Sequence, residues 1–317
     1  MTAASVVTLG ETMALVRATE VGSLRHAHAM ALGLGGAETN VAIGLARLGG
    51  TVSWLGRVGD DSLGERVVRE IRAEGIEVRA VIDPDAATGL MLKERPSAAS
   101  TAVHYYRAGS AGSRVSASDL PDGWVENAAL LHVTGITPLL SSTARAAVLA
   151  AVDRARNAGV PVSFDINYRS ALASADAAGP VLREIAERST LVFGGADEFS
   201  ILYPDASAAD AAGVLRDAGC ATTVLKRGPA GATVFAGDAV IESPGFAIDA
   251  IDTVGAGDAF VAGYLSAHLD GLDVEETLRR ANACGAMACL VPGDWEAAPT
   301  RRELARFLDG DADPVRR

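Results

Sequence analysis

Short apolar runs alternate along this sequence with longer segments in which apolar side chains recur every three or four positions. Two longer segments, 37–48 and 141–157, carry apolar residues at i, i+4 and i+7, which is the spacing of one buried helix face. Strands that alternate with helices predict an α/β fold whose central, mostly parallel sheet is flanked by helices. The predicted strands are 5–10, 51–56, 130–134, 161–165, 190–193 and 222–226.

Two regions, 12–30 and 88–108, break this alternation. Within the second region, TGLMLKER and STAVHYYR predict two strands joined by a turn at Pro96-Ser97, with no helix between them. We expect both regions to form a small β-sheet lid inserted in a single domain that spans 1–317. The last part of the chain, 273–308, predicts two helices separated by VPGDWEAAPT.

Charge excludes nucleic acid as a partner. The 317 residues include 28 basic and 40 acidic side chains, so the formal charge is −12. Binding to phosphate backbones needs clustered Lys and Arg, whereas Lys93 and Lys226 are the only lysines and the arginines are scattered. The hydrophobic content of 49% is enough to fill a sizeable core in one large domain.

Cysteine usage and the chain start favour a cytoplasmic protein with no membrane partner. Three cysteines cannot all pair, and none lies in a CxxC motif, which suits a reducing compartment. The start MTAASVVTLGETMALVR lacks the basic and apolar regions of a signal peptide. The longest uncharged stretch, 127–144, is broken by polar residues and proline and does not resemble a membrane span.

Several common nucleotide and hydrolase motifs are missing from the sequence. Neither lysine completes a G-x-x-x-x-G-K-[ST] loop, and no stretch matches G-x-G-x-x-G. The HRD and DFG signatures of protein kinases and the G-x-S-x-G elbow of hydrolases are absent as well. The five histidines have no Cys, Asp or Glu at the spacing of a zinc site.

The segment Asp252-Thr-Val-Gly-Ala-Gly-Asp258 precedes the buried-helix pattern AFVAGYLSAHL and carries the clearest chemistry. Gly255, Ala256 and Gly257 would present backbone N–H groups at a helix N-terminus, where negative charge on a phosphoryl group is stabilised. Asp258 could accept a proton from an attacking hydroxyl beside these amides. The alternative is an ordinary strand-to-helix turn in which Asp258 serves as a cap.

Two long motifs resemble the signatures of the ribokinase-like (PfkB) carbohydrate kinases. DTVGAGDAFVAGYL at 252–265 is similar to the C-terminal signature, and GGAETNVAIGLARLG at 35–49 is similar to the N-terminal one. The resemblance covers essentially the whole chain, from about residue 6 to residue 308. It implies an α/β fold with a β lid over the substrate and ATP-dependent phosphorylation of a hydroxyl group.

The resemblance assigns roles to the residues that match these signatures. Asp258 corresponds to the catalytic base, and 255–257 corresponds to the anion hole. Gly35, Gly36 and Asn40 match residues that contact sugar hydroxyls. Paired glycines permit close approach of a ligand to the backbone, whereas the competing interpretation is a simple helix-entry turn.

A second group of matching residues is assigned to the nucleotide. Lys226, Gly228 and Gly231 resemble the family's K-x-G-x-x-G segment, although a hairpin-like connection explains the local pattern too. Asn282 lies in a small-residue segment, 281–287, that resembles the helix beside the adenine pocket; tight helix packing is the alternative. Asn167, in the segment FDINYR, is also assigned to the nucleotide.

One position departs from the family pattern. Many members carry N-x-x-E at the nucleotide site, but FGGADEFSIL has Gly195 at the asparagine position and keeps Glu198. We expect Glu198 to organise Mg²⁺ indirectly through water, because Mg²⁺ retains several waters when bound. A solvated glutamate at a helix start fits the local sequence equally well.

The substrate is predicted from two arginine motifs. HYYRAGSA at 104–111 and FDINYR at 164–169 resemble segments of 2-keto-3-deoxygluconate kinases, and both also have relatives in fructokinases. Arg107 and Arg169 could pair with a carboxylate, which favours a sugar acid, and Tyr105 shares a strand face with Arg107. Asp294 resembles a residue near the substrate. Met91 stands where these kinases often have a lid tyrosine.

We therefore predict a kinase of a small sugar acid with ATP and Mg²⁺ as cofactors; a monovalent-cation requirement is left open. A kinase of a neutral sugar, of the fructokinase or ribokinase type, is the first alternative. A non-catalytic sensor of sugar or nucleotide is the second, because a fold does not itself establish turnover. Family resemblance also favours a homodimer formed through the lid strands.

Overall fold

Strands and helices alternate along the computed structural model of the protein, which describes residues 6–97 and 100–310. The strands in this part are β1 (Val6–Leu9), β2 (Met13–Ala18), β3 (Met30–Gly35), β4 (Val52–Gly59), β5 (Glu77–Asp83), β6 (Leu90–Ser97), β7 (Ser100–Tyr106), β8 (Leu130–Thr134), β9 (Val162–Asp165), β10 (Leu191–Gly195), β11 (Thr222–Lys226), β12 (Ala232–Ala236) and β13 (Ala239–Ser243). The α-helices are α1 (Ala37–Arg47), α2 (Ser62–Ala73), α3 (Ser142–Asn157), α4 (Ala175–Ala186), α5 (Ala196–Leu202), α6 (Ala208–Asp217), α7 (Ala256–Leu269), α8 (Val274–Ala288) and α9 (Arg301–Asp309).

The main sheet has nine strands in the order β13-β12-β11-β10-β9-β8-β1-β4-β5. The strands from β11 to β5 in this order are parallel, and β12 and β13 pair antiparallel at one end. A two-residue connection joins β12 to β13, and Gly237 supplies its positive φ of 58°. The predicted α/β class with a mostly parallel sheet is confirmed.

Helices cover both faces of this sheet. On one face, α3 to α6 pack on apolar residues such as Leu9 and Phe164. On the other, α1, α2, α7 and α8 pack on residues such as Val6 and Trp54. The predicted helices at 37–48 and 141–157 are α1 and α3. Ser141 lies just outside α3 as its N-cap, because its side chain accepts a hydrogen bond from the Ala144 amide.

The sequence prediction missed strands β5 and β13, which lie at the two edges of the main sheet. The β5 sequence EVRAVID has only a three-residue apolar run at 80–82, and six of its seven side chains are exposed or only partly buried. An edge strand pairs on one side only and does not need the continuous apolar run that marks a central parallel strand. The strand prediction relied on that run.

A second sheet of four strands, in the order β3-β2-β6-β7, lies outside the main layer. Met13, Leu15 and Met91 are buried together beneath it. Strand β3 extends to Gly35, so the sheet uses residues beyond the predicted limit at 30. Pro96 and Ser97 belong to β6 and do not form the predicted turn. Because proline cannot donate to a ladder, the β6–β7 register shifts between Glu94 and Ser97 instead.

The C-terminal part contains the two predicted helices, α8 and α9, and the connection between them returns to the lid. Trp295 in this connection donates from its indole Nε1 to the carbonyl of Leu34 in β3, at 3.1 Å. The carboxyl ends of the central strands, the N-terminus of α7 and the lid thus meet in one region. Within the described ranges, none of the helices has the length and apolar content needed to cross a bilayer.

Candidate active site

The N-terminus of α7 forms the centre of the candidate site. Gly255 precedes the helix with φ of 78°, and a Cβ atom there would overlap the carbonyl oxygen of Asp294, so only glycine fits. The amides of a first helical turn have no acceptor within their own helix, and the peptide dipoles add positive potential. The Ala256 amide lies 3.3 Å from the Thr253 carbonyl. The amides after Ala256 in this first turn have no acceptor within the helix, so they are suited to bind an anion.

Asp258 lies in this first turn and is 6% exposed. Its Oδ2 accepts a hydrogen bond from Asn40 Nδ2 at 2.7 Å, and its Oδ1 accepts one from Asn167 Nδ2 at 3.2 Å. Burial raises the pKa of Asp258 to about 6, although the Asn40 hydrogen bond and the charges of Arg169 and Lys226 act in the opposite direction. A carboxyl group that is fixed in place and ionises near neutral pH can serve as a base.

Asn167 reaches Asp258 because of an unusual backbone conformation. It follows β9 with φ of 37°, and Asn tolerates this left-handed region better than most residues do. Asn167 was predicted to contact the nucleotide, whereas its amide nitrogen here donates to the carboxylate of Asp258. The next residue, Tyr168, donates from its backbone to Glu198 Oε1 at 2.9 Å, which ties this turn to α5.

Lys226 and Asp165 form a buried ion pair beside the helix terminus. Lys226 Nζ lies 2.6 Å from Asp165 Oδ1 and 3.9 Å from Glu198 Oε2. Burial raises the pKa of Asp165 to about 7, while Lys226 lowers it. Burial opposes the charge on Lys226, but Asp165 and Glu198 raise its pKa. A Cβ atom on Gly257 would lie 3.8 Å from Nζ, so the ammonium group adjoins the anion-binding amides.

Glu198 is held by the backbone on both of its oxygens. Oε1 accepts from the Tyr168 amide, and Oε2 accepts from the Gly195 amide at 2.7 Å. Gly195, which replaces the family's asparagine, therefore contributes its main chain. Among residues 6–97 and 100–310, no group of three or more His, Cys, Asp or Glu could hold a metal ion. A single carboxylate at this position is compatible with Mg²⁺, which keeps several water ligands when bound.

A cavity of about 660 Å³ opens beside Lys226 and the start of α7. Its size suits a nucleotide, and apolar side chains surround much of it. Gly231, with φ of 93°, lies on its wall, and a Cβ atom there would overlap the Ser243 carbonyl oxygen. The lining residues are Lys226, Gly228, Pro229, Gly231, Gly245, Phe246, Ala247, Ile248, Ala250, Thr253, Ala256, Gly257, Phe260, Asn282, Gly285, Ala286 and Cys289.

Asn282 lines this cavity from α8, but its side-chain amide is already occupied. Nδ2 donates to Ser243 Oγ and to the Pro244 carbonyl, both at 3.1 Å. The residue therefore anchors the segment after β13 that forms the opposite wall.

Gly35 and Gly36 join the lid strand β3 to α1, the helix that carries Asn40. A Cβ atom on Gly35 would overlap Met91 Cε and approach Asp294 Oδ2 at 2.6 Å, and one on Gly36 would lie 2.5 Å from the Glu11 carbonyl oxygen. Position 36 therefore needs glycine because backbone atoms block it, whereas at position 35 the blocking atoms are the ends of two side chains. Met91 and Asp294 border the space in front of Gly35, where the sequence analysis places the substrate.

Arg107 has a partner that the sequence analysis did not identify. Its Nε donates to Glu11 Oε2 at 2.7 Å, and its guanidinium lies 5.7 Å from the centre of the Tyr105 ring. Glu11 is 2% exposed and follows β1, whose carboxyl end faces the lid. Tyr105 is 44% exposed and pairs with Met91 across β6 and β7. An acidic residue directly after the first strand was the signal that could have revealed this pair.

The predicted residues thus gather in one region, where they meet further charged residues that the sequence analysis missed. Arg169 is exposed, and its charge lowers the pKa of Asp258. The missed residues are Glu11, Lys93, Asp165 and Asp252. Each is almost completely buried in an ion pair, at most 4% exposed.

Comparison with known proteins defines the class to which this site belongs. Residues 3–301 match the model of the pfkB family carbohydrate kinases. The chain belongs to this family, and the resemblance seen in the two signatures is confirmed. It therefore has the fold of this family and is an ATP-dependent sugar kinase.

Individual relatives show which kinases of this family the chain is similar to. A 2-dehydro-3-deoxygluconokinase of Bacillus subtilis is 38% identical over 95% of this chain and 94% of its own length. A 2-dehydro-3-deoxygalactonokinase of Haloferax volcanii is 36% identical over 97% of both chains. The crystal structure of aminoimidazole riboside kinase from Salmonella enterica, complexed with aminoimidazole riboside and an ATP analogue, has a TM-score of 0.80. It is 29% identical and covers 96% of this chain and 99% of its own.

Proposed function

We propose that the protein transfers the γ-phosphoryl group of ATP to a primary hydroxyl of a small sugar acid, 2-keto-3-deoxygluconate. The observation that carries this proposal is the carboxyl group of Asp258, held by Asn40 and Asn167 next to the first-turn amides of α7. The similarity to a 2-dehydro-3-deoxygluconokinase over nearly the full length supports the choice of substrate, because that name denotes the same sugar acid.

Asp258 would orient the substrate hydroxyl and take its proton. Asn40 and Asn167 donate one hydrogen bond to each carboxylate oxygen, which leaves the remaining lone pairs for the hydroxyl. Both amides fix the carboxylate before substrate arrives, so little reorganisation is needed during transfer. Gly35 and Gly36 would contact the sugar through their main chain, which glycine leaves uncovered.

The amides of Gly255 and Gly257 and the ammonium group of Lys226 would stabilise the phosphoryl charge, while the Ala256 amide already faces the Thr253 carbonyl. Phosphoryl transfer depends mainly on positioning and on electrostatic stabilisation, so fixed donors at this point matter most. Mg²⁺ would neutralise charge on the nucleotide phosphates, and Glu198 would hold its water shell. The lid would exclude water from the reacting groups.

Arg107 and Arg169 would bind the carboxylate of the sugar acid, with Tyr105 and Asp294 contacting its hydroxyls. Arg107 Nε donates to Glu11 Oε2, and its Nη2 lies 2.5 Å from the same oxygen, but a guanidinium has five N–H donors, so others remain for a substrate. The pairing with Glu11 also favours a second candidate, because it already balances part of the Arg107 charge. That candidate is a kinase of a neutral sugar.

Replacing Arg107 by Ala distinguishes the two candidates. We expect kcat/KM for 2-keto-3-deoxygluconate to fall about 10–100-fold, because a hydrogen bond to a charged group contributes about 1.5–3 kcal/mol. The value of kcat/KM for fructose, measured with the same preparation, controls for structural damage from the unpaired Glu11. If kcat/KM falls by the same factor for both sugars, Arg107 does not recognise a carboxylate.

The reaction should slow in acid. Because the pKa of Asp258 is about 6 and the base must be ionised, we expect kcat/KM to fall tenfold per pH unit below about 6 and to level off above it. Rates at saturating Mg-ATP between pH 5 and 8 give the profile, and re-assay at pH 7.5 after exposure to pH 5 controls for unfolding. A profile that stays flat down to pH 5 would contradict the assignment of the base.

A direct assay tests the reaction itself. ADP formation would be coupled to a reporter with a panel that includes 2-keto-3-deoxygluconate, its galactonate epimer, fructose and ribose. The epimer belongs in the panel because one relative is named for it. We expect the highest kcat/KM for the acids. Preferred turnover of a neutral sugar would replace the proposed substrate, and no turnover with any sugar would favour the non-catalytic sensor.

The assembly and location are further parts of this proposal. The outward side of the lid exposes Met30, Leu32 and Tyr106, and β3 and β7 are its edges. Apolar side chains on such a surface favour a homodimer through the lid strands. Cys220, Cys284 and Cys289 are free and buried, which suits the reducing cytoplasm. A monovalent-cation requirement would be seen by comparing rates in potassium and tetramethylammonium salts.

A further inference from the structure

A buried lysine of the lid reaches the acidic residues beside the anion-binding loop. Lys93, in β6, is 4% exposed, and its Nζ lies 2.7 Å from Asp252 Oδ2 and 3.0 Å from Asp294 Oδ1. Lysine is rarely buried unless it is paired, because its charge must leave water. The lid therefore places the ammonium group of Lys93 inside the main body of the protein.

Both acidic partners belong to the chain segments that shape the anion site. Asp252 Oδ1 accepts from the Val254 amide at 3.2 Å, and its Oδ2 accepts from the Gly293 amide at 3.3 Å. Asp252 thus joins the segment that leads into α7 to the connection between α8 and α9. The carbonyl of Asp294 in that connection lies against Gly255, where it leaves no space for a Cβ atom.

We propose that Lys93 is a positioning residue whose lid-borne ammonium group locks these two segments together, so that the anion site is fully formed only when the lid is in place. The proposal rests on the kinase function proposed above. It assigns Lys93 no contact with substrate or nucleotide. Its effect passes through Asp252 and Asp294 to the backbone around Gly255.

Electrostatics gives the reason for this coupling. Asp252 and Asp294 are 4% and 8% exposed, and both lie within ion-pair distance of the same ammonium group. Burial raises the pKa of Asp294, and Asp252 adds to this effect, while Lys93 opposes it. Without Lys93, two desolvated carboxylates would be left without a counter-charge. Either the loops that carry them would move apart, or one carboxylate would take up a proton.

A lid that completes the anion site would also restrict phosphoryl transfer to a closed, water-excluding state. Removal of the ammonium group should then slow phosphoryl transfer to the sugar more than it slows the hydrolysis of ATP by water. Wild-type enzyme is expected to form one sugar phosphate per ADP. A variant that lacks Lys93 should form ADP in excess.

The test compares Lys93→Ala and Lys93→Met with His104→Gln. His104 lies on the outward face of the neighbouring strand, where it pairs with Glu94 and is 50% exposed. It therefore controls for the loss of a polar lid side chain that pairs with a carboxylate. Lys93→Met keeps the length of the side chain and guards against collapse of the lid in the alanine variant. Circular dichroism and thermal melting establish that each variant is folded.

We expect kcat of both Lys93 variants to fall about 10²-fold, the scale of a small displacement of reacting groups, with little change in KM for ATP. The ratio of ADP to sugar phosphate should rise above one. n-Propylammonium, which supplies the missing part of the side chain, should restore Lys93→Ala, whereas n-propanol should not. His104→Gln should match wild type. A folded Lys93 variant with wild-type kcat and ratio, or equal rescue by propanol, would overturn the proposal.

A second measurement does not depend on activity. Hydrogen exchange of the Val254 and Gly293 amides should quicken in Lys93→Met and stay unchanged in His104→Gln, because Asp252 holds both amides. Unchanged exchange in Lys93→Met would overturn the proposal. If the wild type phosphorylates no sugar, the proposed function fails, while exchange still decides the role of Lys93.

Discussion

Asp258→Asn should lower kcat by about 10²–10⁴-fold while ATP binding is retained, which is the usual scale for removal of a general base. The substitution keeps the size of the side chain but removes the group that would accept the hydroxyl proton. Binding should persist because Asp258 is not among the residues that line the nucleotide cavity.

Steady-state rates and calorimetric titration with a non-hydrolysable ATP analogue measure the two effects separately. Asp153→Asn is the matched control, since Asp153 is a half-exposed carboxylate that pairs with Arg188 on the surface. This variant should keep wild-type turnover. The comparison removes any general effect of losing one negative charge.

Near-normal turnover of Asp258→Asn would refute its assignment as base. Asp165 would then be the next residue to test, because it is also buried, has a pKa raised to about 7 and keeps one oxygen without a hydrogen-bond partner. Its position against Lys226 makes it a weaker base candidate, since the ammonium group already occupies its other oxygen.

Gly255→Ala should reduce kcat by about 10²–10³-fold, the scale observed when one oxyanion donor is lost. The added methyl group would overlap the Asp294 carbonyl oxygen, and φ of 78° is unfavourable for alanine. The start of α7 would have to shift, and its amides would no longer point at the transferring group. Rates at saturating ATP and sugar measure this loss.

Gly271→Ala separates backbone strain from steric overlap. Gly271 has φ of 74°, close to that of Gly255, but a Cβ atom there would meet nothing within 4 Å. We expect this variant to lose about 1–2 kcal/mol of stability from the left-handed conformation and to keep its turnover. If Gly255→Ala loses no more activity than Gly271→Ala, the anion site does not depend on close contact with Asp294.

Local patterns were sufficient for much of the fold. The six predicted strands, α1, α3 and the final two helices were found because apolar runs and apolar periodicity are set by residues a few positions apart. The apolar pattern was weaker in strands at a sheet edge, which are less completely buried. Strand β5 was missed at a sheet edge, and the turn predicted at Pro96-Ser97 was wrong because a register shift keeps proline within β6.

The sequence by itself determined the alternating α/β order, the glycine-rich helix start and the carboxyl group of Asp258, because each depends on residues that are neighbours in the chain. Only the tertiary structure decided which charges meet. Glu11 pairs with Arg107 96 positions away, and Lys93 reaches Asp294 across 201 positions. Such pairs are brought together by strand order and lid placement, and no local periodicity encodes them.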